Sequence, residues 1–591
     1  MNYKLNTTET TREKKKKVGT LRAVASLWPL LHGEEKNVSW AFVAIIINSL
    51  VNLFGPFLIG RTVDHYVLTK DYHGVFVFSG ILLGMFAVGL VASYLQTKWM
   101  GSVSQRVLFR LRGTVFNKLQ ELPVAFFNQN KAGDLISRIN NDTDKLNQFF
   151  SQSLMQFIGS VFIMIGAGIF LVVINWQLGG AALIPAGIIL ILTQIMSPWI
   201  KRKNSENLKS TGDLSAEIQE SLNNFKVIVA FNRRDYFRNK FEESNKQNYK
   251  TAVGAGIANN LFVPIYSFAS TIAQLIIITY SIYLITHGHF TLGLLISFLS
   301  YVNNFYSPLR QLAALWANFQ TALASWDRIN AILQMKNDLV TIPDGSVNRE
   351  AKDAVLCFKN VSFGYEDGKE ILHNINFTLK QGKTYALVGP TGGGKTTTAS
   401  LMARIFDPTR GTVLLDGKDI RSYDEAERTK KIGFILQEPF LFTGTVKDNI
   451  IYGNEEYKDL STSELEKVIK ESNLDSLLSW FDKGLDTPVA TGGDTISLGQ
   501  RQLIAFVRAV LRKPELLILD EATANIDTVT EQLLEEILKK LPNTTTRVII
   551  AHRLNTIENA DDIFFVNAGE VTEAGSMEHA VEMLLHGKRK S

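Results

Sequence analysis

The chain has 591 residues, too many for one core, and about two to four domains are expected from that length. Its net charge of +5 is small, and no basic and aromatic residues interleave, so nucleic acid is excluded as the expected partner. A single cysteine, Cys357, excludes a disulfide framework and a cysteine-built metal site within the chain.

The average composition, 46% hydrophobic and 20% charged, hides two unlike halves. Long runs without charge fill the N-terminal half. From about Lys352 onward the chain reads as a mixed soluble domain. Met1 to Thr20 is polar, with Lys14, Lys15, Lys16 and Lys17 in a row. It reads as a solvated tail rather than a cleavable leader, compatible with weak attraction to anionic lipids. Leu21 to Leu31 is apolar but too short to span, and reads as an interfacial segment with Trp28 at headgroup depth.

Six apolar runs follow, about 40–60, 75–97, 149–174, 178–200, 257–286 and 291–317. About 20 apolar residues span the hydrocarbon core, so an all-α six-helix transmembrane domain is expected over 1–335. Trp176 and Gln177 barely separate the third and fourth runs, and His287 to Phe290 separate the fifth and sixth. The long connections after the second and fourth runs carry Arg106, Arg110, Arg112, Lys118, Lys131 and Arg138, then Lys201, Arg202, Lys203, Lys226, Arg233 and Arg234. Positive charge marks the cytoplasmic side, which places both termini and both long connections there, in a multi-pass bacterial inner-membrane protein. Between Ser205 and Phe231, apolar residues recur at helical spacing (Leu208, Leu214, Ile218, Leu222, Phe225, Val229). Membrane helices therefore continue into the cytosol and turn there. Val124 to Gly133 and Phe225 to Tyr236 are the candidate turns, and their apolar side chains need a protein surface.

Residues 336–351 are polar, contain Pro343, Asp344 and Gly345, and read as a linker. Residues 352–591 then alternate short β-type runs with helical patterns. The runs are Val355–Phe358, Ile375–Leu379, Tyr385–Val388, Val413–Leu415, Gly433–Leu436, Leu516–Leu519 and Val548–Ile550. That alternation predicts an α/β domain with a parallel sheet.

Gly389 to Thr396, GPTGGGKT, follows an apolar run and precedes a helical one. This is the G-x-x-x-x-G-K-[ST] phosphate loop, in which backbone N–H groups and a helix N-terminus face a nucleotide's phosphates. Lys395 can reach the β- and γ-phosphates, and the Thr396 hydroxyl can ligate Mg²⁺. Leu516 to Glu521 is an apolar strand ending in two acids. Asp520 can hold the same Mg²⁺, and Glu521 is placed to polarise the attacking water.

Ile496-Ser497-Leu498-Gly499-Gln500-Arg501-Gln502 heads an apolar helix. With this stretch the chain resembles the ATP-binding-cassette (ABC) family over nearly its whole length, with six spans ahead of one α/β P-loop cassette. The resemblance implies a half-transporter of the type IV exporter kind, with ATP and Mg²⁺ as cofactors. It implies that Tyr365 stacks on adenine, and that Thr391, Gly392, Gly393, Gly394, Lys395, Thr396 and Thr397 hold the phosphates. Gln437 is similar to the glutamine near Mg²⁺, so Thr396, Gln437 and Asp520 form the expected metal set. His552 is similar to the switch histidine that contacts the γ-phosphate, and Asp527 to the dimer-contact loop.

In this family each ATP lies between one partner's phosphate loop and the other's signature helix, consensus LSGGQ. Here Ser497, Leu498, Gly499 and Gln500 would cover the partner's ATP, and Leu498 replaces a glycine. A leucine there hinders close backbone approach to a γ-phosphate. Thr491 also stands where exporters commonly have glutamate. The resemblance therefore implies a heterodimeric multidrug exporter in which this chain, with Glu521 intact, supplies the hydrolytic half-site; the alternative is a homodimer in which Leu498 is a tolerated variation. A second half-transporter, the lipid bilayer and a small amphipathic substrate are the implied partners. A transporter of a specific lipid, peptide or siderophore would share every motif. An ATP-gated channel or regulatory subunit is opposed by Glu521 and His552. No charged cluster in the spans favours an ionic substrate. Phe54, Phe57, Tyr301, Asn303, Asn304 and Phe305 are candidates to line the substrate path, with helix packing as their other role.

Overall fold

The computed structural model describes residues 3–5, 27–337, 339, 341–343, 354–365, 369–490, 492, 495–520, 528–550 and 560–586. The chain parts into two compact units. One is helical, built on residues up to Leu119 and Gly133–Gln334. The other gathers the residues from Met335 onward with Gln120–Ala132 and the N-terminal peptide.

The helical unit contains α1 (Glu35–Thr62), α2 (Tyr72–Gln120), α3 (Leu154–Ile174), α4 (Trp176–Asn223), α5 (Arg234–Asn260), α6 (Phe262–Thr286) and α7 (Leu292–Leu333). Among the described residues, five segments are long and apolar enough to cross a membrane: Glu35–Val67, Tyr72–Gln120, Ala132–Ile174, Trp176–Asn223 and Arg234–Thr286. The sixth expected crossing falls in α7, a 42-residue helix whose apolar run is diluted by Asn303, Asn304 and Arg310. Backbone polar groups in hydrocarbon must be satisfied within the segment, which is why these runs are helices.

Two helices are far longer than a bilayer requires. α2 has 49 residues and α4 has 48. At 1.5 Å per residue each is about 70 Å long, against a hydrocarbon core of about 30 Å. Beyond the apolar run, α2 buries Met100, Val103, Val107, Leu111 and Val115 at helical spacing. The matching stripe on α4 behaves differently: Leu208 and Leu222 are exposed, as are Phe225, Val227 and Phe231 in the short helix after it. The expected fifth span is broken at Leu261, between α5 and α6. Pro264 has no N–H to give the Asn260 carbonyl, so one hydrogen bond of the ladder is lost there, although the backbone at Leu261 stays helical, as the chain does around Pro56, Pro185, Pro198 and Pro308 inside α1, α4 and α7.

Charged groups are buried where the overrunning helices meet. Arg138 is only 2% exposed; it donates to Asp134 Oδ2 at 2.9 Å and to the Arg328 carbonyl at 2.7 Å. Arg328, on α7, reaches Asp134 at 2.7 Å and the buried Asp142 at 3.3 Å. Near the start of α1, Glu34 is clamped by Arg106, with Nε to Oε1 and Nη2 to Oε2 both at 2.7 Å. Asn37 adds a third donor at 2.9 Å. The Arg106 hydrogen bonds outweigh the opposing effect of burial and hold the Glu34 carboxyl at about 2, against an ordinary 4.5.

Among its described residues the second unit contains two main sheets and a two-stranded antiparallel ribbon, β7 (Gly444–Thr445) with β8 (Pro488–Val489). The first is antiparallel in the order β2-β1-β4-β5, from β1 (Ala354–Phe363), β2 (Leu372–Lys380), β4 (Arg410–Leu415) and β5 (Lys418–Asp419). The second has the order β12-β11-β3-β10-β9-β6. Its strands are β3 (Thr384–Val388), β6 (Ile432–Ile435), β9 (Leu516–Asp520), β10 (Thr546–Ile550), β11 (Asp562–Asn567) and β12 (Glu570–Glu573). All its pairings are parallel except the last hairpin, β11 with β12. The expected parallel sheet is therefore real, but three of the β-type runs lie in the antiparallel sheet instead. The connection between β1 and β2 is too short for a crossover helix, so those strands pair as antiparallel neighbours. β3 and β9 are buried along their whole length, as continuous apolar runs in a parallel sheet should be. Part of the expected linker is docked, with Ile342 donating its N–H to the Arg421 carbonyl at 3.0 Å.

This unit also holds the first expected cytoplasmic turn, a short helix over Val124–Gln129. Its Phe126 is fully buried. The N-terminal peptide clasps it: Tyr3 N–H donates to Gln129 Oε1 at 2.7 Å, and Leu5 N–H donates to Asn130 Oδ1 at 2.9 Å. Asn130 Nδ2 returns a bond to the Tyr3 carbonyl at 2.9 Å. The Tyr3 ring is buried and meets Phe126 edge-on, with centroids 6.5 Å apart.

Two outcomes test these contacts. A depressed carboxylate adds stability above its ordinary titration range and loses it as pH falls through its folded value. E34Q should therefore cost about 1–2 kcal/mol at neutral pH, discounted because Arg106 is half exposed. The difference from wild type should shrink between pH 4.5 and about 2, measured by thermal unfolding in detergent. N130A should speed amide exchange at Tyr3 and Leu5 by roughly tenfold, the worth of one or two hydrogen bonds; unchanged protection would show that the clasp does not form.

Candidate nucleotide site

Four strands of the parallel sheet end at one edge. Register pairs Leu387 with Ile550, Ile550 with Asp520, and Leu519 with Ile435. The segments after β3, β10, β9 and β6 therefore leave side by side. In open α/β sheets ligands bind outside the carboxyl ends of the strands. The phosphate loop, Asp520 and Gln437 all lie at this edge. Glu521, Asp527 and His552 lie outside the described residues, as does Thr491; the strands leading to Glu521 and His552 end at Asp520 and Ile550.

The loop curls from Gly389 to α8 (Lys395–Met402). Gly394 caps that helix with φ of +112°, where a side chain would be strained and its Cβ would meet Leu372. At Gly389 a Cβ would run into the Val566 carbonyl oxygen. The loop is braced from behind by the β11–β12 hairpin: Gly569 N–H donates to the Gly393 carbonyl at 3.1 Å, and the Gly569 carbonyl accepts from His373 N–H at 2.8 Å. Thr391 and Gly392 form the exposed rim, whereas Gly393, Gly394 and Lys395 are buried. Lys395 Nζ donates to the carbonyls of Gly389 at 2.8 Å and Pro390 at 3.1 Å, so the ammonium sits within the curl. A glycine-lined concavity holding an ammonium at a helix N-terminus has the shape and sign for phosphate.

Thr396 Oγ1 donates to Asp520 Oδ1 at 3.2 Å. Asp520 is 3% exposed at the end of β9, while Thr396 is exposed. This hydroxyl and carboxylate are hard oxygen donors, the type Mg²⁺ takes beside phosphate oxygens and waters. Gln437 is exposed two residues beyond the end of β6.

Tyr365 lies one turn from the loop, its hydroxyl 3.1 Å from Thr397 Oγ1. Phe363 and Phe406 meet the Tyr365 ring edge-on, at centroid distances of 5.0 and 5.2 Å. The ring remains 38% exposed, a braced aromatic surface beside the phosphate cradle.

The signature stretch begins α9 (Leu498–Val510). Ser497 and Gln500 form a reciprocal capping box: Ser497 N–H donates to Gln500 Oε1 at 2.9 Å, and Gln500 N–H donates to Ser497 Oγ at 3.2 Å. Gln500 Nε2 also holds the Trp480 carbonyl at 2.6 Å. Leu498 occupies the first helical position, half-buried, ahead of a buried Gly499.

Two residues that the motifs did not reveal connect these parts. Asn449 is buried, donates to the Phe442 carbonyl at 2.8 Å and accepts from Phe442 N–H at 2.8 Å. Arg508, on α9, donates to the Asn449 carbonyl at 2.7 Å and to the Phe440 carbonyl at 3.3 Å. Its guanidinium lies 5.4 Å from the Tyr452 ring centroid. The segment following Gln437 is thus tied to the signature helix. Neither residue stands in a spacing that sequence alone marks: Asn449 braces a local turn through backbone groups, and Arg508 reaches that turn from 59 residues away.

Of the expected path-lining residues, Tyr301 is fully buried, with its hydroxyl on the Leu53 carbonyl at 2.7 Å, and Asn304 bonds the Asn52 carbonyl at 3.1 Å. Phe54 meets Phe170 edge-on at 5.6 Å. Tyr301 and Asn304 are thus tied to α1, while Phe54 stays 45% exposed. Asn303 instead accepts from Gln274 Nε2 at 3.0 Å and lines a polar cleft.

Comparison with known proteins agrees with this architecture. Residues 38–309 match the ABC transporter transmembrane region, and residues 372–524 match the ABC transporter domain. An uncharacterised ABC transporter ATP-binding protein of Bacillus subtilis is 34% identical over 567 residues, covering 95% of this chain and 92% of that protein. A multidrug resistance ABC transporter ATP-binding and permease protein of Lactococcus lactis is 29% identical, over 90% of this chain and 89% of its own. An ATP-dependent lipid A-core flippase of Haemophilus influenzae is 29% identical over 95% of each chain. With a helical membrane region fused ahead of an ATP-binding cassette, the chain belongs to the ABC transporter family, as an exporter-like half-transporter that couples ATP hydrolysis to transport.

Proposed function

We propose that this chain is the hydrolytic half of a heterodimeric exporter that moves amphipathic small molecules out of the cell. The observation that carries the pairing is the contrast within one cassette. Its phosphate loop, Lys395, Thr396 and Asp520 converge at one sheet edge, while Leu498 occupies the first turn of the signature helix. A partner with an intact signature completes the ATP site built on Gly389 to Thr396. The exposed apolar residues Leu208, Leu222, Phe225, Val227 and Phe231 offer that partner a surface. The multidrug name among the relatives supports the substrate class.

In this reading Tyr365 stacks on adenine, and Thr391 to Thr397 hold the phosphates. Thr396, Asp520 and Gln437 hold Mg²⁺, which when bound neutralises phosphate charge. Glu521 orients the attacking water, and His552 contacts the γ-phosphate. Ser497 to Gln500 cover the partner's nucleotide, and Asp527 contacts the partner. Six spans cross the inner membrane, with both termini and the cassette, residues 352–591, in the cytoplasm. Closure of the cassettes on ATP reaches the membrane helices through the cytoplasmic turns, of which Val124–Gln129 is one.

In membranes containing the partner, E521Q should lower ATP turnover by at least about a hundredfold, the contribution of a positioned general base. Unchanged turnover in that variant would sink the assignment of Glu521. Y365A should raise KM for ATP by roughly fivefold with little change in kcat, since stacking is worth about 1 kcal/mol. The purified chain alone should hydrolyse ATP slowly, and L498G should raise that rate. Vigorous ATP-driven transport by this chain without a partner would refute obligate pairing.

A further inference from the structure

The six expected spans contain one charged residue, Arg310, and no acid. A cation in that setting is costly unless it meets an anion or water. Among the described residues Arg310 makes no hydrogen bond or ion pair, and it is exposed. It lines a cleft of about 350 Å³ between α6 and α7, in which every lining residue carries a hydroxyl, amide or guanidinium group.

The cleft is written into both helices at one spacing. Tyr266, Ser270 and Gln274 recur every fourth residue on α6; Asn303, Ser307 and Arg310 recur at intervals of four and three on α7. Such intervals place side chains on one helix face. The tyrosine is already engaged, with its hydroxyl 3.2 Å from Thr193 Oγ1, and Gln274 bonds Asn303. These bonds engage Tyr266, Gln274 and Asn303, but neither of them reaches Arg310. At 1.5 Å per residue Asn303 lies about 17 Å along α7 from Leu292, and Arg310 about 27 Å. Against a hydrocarbon core of about 30 Å, the polar stripe runs from mid-membrane toward the cytoplasmic boundary, with Arg310 nearest that boundary.

We infer that this cleft is the headgroup subsite for an anionic amphiphile, with Arg310 pairing the anion, a phosphate, sulfate or carboxylate, and Ser307 and Ser270 bonding the polar neck. Its volume suits a headgroup rather than a whole lipid, and the apolar tail lies along the surrounding helix faces. The inference rests on the export reading above and narrows its substrate class.

The test is equilibrium binding to the full chain in phosphatidylcholine nanodiscs, by titration calorimetry. Dodecyl phosphate is the anionic probe, dodecyltrimethylammonium the cationic probe of equal chain length, and inorganic phosphate the headgroup without a tail. Dodecyl phosphate should bind about tenfold tighter than the cationic probe, and R310Q should weaken it by about tenfold, the loss of one charge-assisted contact. R310K should stay within about threefold of wild type, because the charge remains. Cationic-probe binding by R310Q shows that the variant is folded. Equal affinity of wild type and R310Q for dodecyl phosphate overturns the subsite, as does displacement of dodecyl phosphate by millimolar inorganic phosphate. If only the cationic probe binds, the anion preference fails and the export reading stands. If neither amphiphile binds any form, the amphiphile-export reading fails with it.

Discussion

The most demanding constraint on this chain is the burial of charge where its helices leave hydrocarbon. Inside the bilayer the backbone satisfies itself and the side chains are apolar. Just beyond, Arg138 is enclosed with Asp134, Asp142 and Arg328 in one network. Breaking one member of such a group leaves an uncompensated charge, which costs far more than the intact network contributes. The network therefore specifies geometry more than it adds stability. It fixes the end of α7 against the segment that follows the short helix Val124–Gln129. The Glu34–Arg106 clamp does the same near the start of α1.

The cassette solves a related problem with backbone rather than side-chain charge. Its phosphate loop presents N–H groups and one ammonium at the edge of a sheet whose strands β3 and β9 are buried throughout. The loop keeps its shape because a hairpin at the far end of the sequence bonds it from behind. Asp520 is held at the same edge by strand register, so the spacing between Thr396 and Asp520 is set by β-pairing rather than by a local turn. The signature helix is anchored by its own cap and, through Arg508, to the segment that follows Gln437.

Much of this was legible in the sequence, for physical reasons. Uncharged runs long enough to span, the phosphate loop and the strand ending in acids are local patterns tied to strong constraints. The antiparallel sheet was missed, although β2 alternates buried Ile375, Phe377 and Leu379 with exposed neighbours, because the short apolar runs of β1 and β4 resemble those of the parallel strands. The break at Leu261 was masked by a run that stays apolar through Pro264. Buried Arg138 looked like one more cytoplasmic cation, since its partners Asp134, Asp142 and Arg328 are brought to it only by folding. Arg310 drew no attention in the sequence, and only the pairing of α6 with α7 sets it in a polar cleft. Asn449 and Arg508 could not be read at all, because most of their partners are backbone groups, which carry no side-chain signal.

The clasp between Tyr3, Leu5 and the Gln129–Asn130 pair has a practical side. The peptide at the start of the chain is not a neutral place to attach an affinity handle, since Tyr3 is buried against Phe126. Bulk added just ahead of Tyr3 competes with the surface that receives it. A purification handle placed after Ser591 adds no bulk beside Tyr3, and the choice between the two positions decides whether the isolated protein reports its own turn geometry or that of the handle.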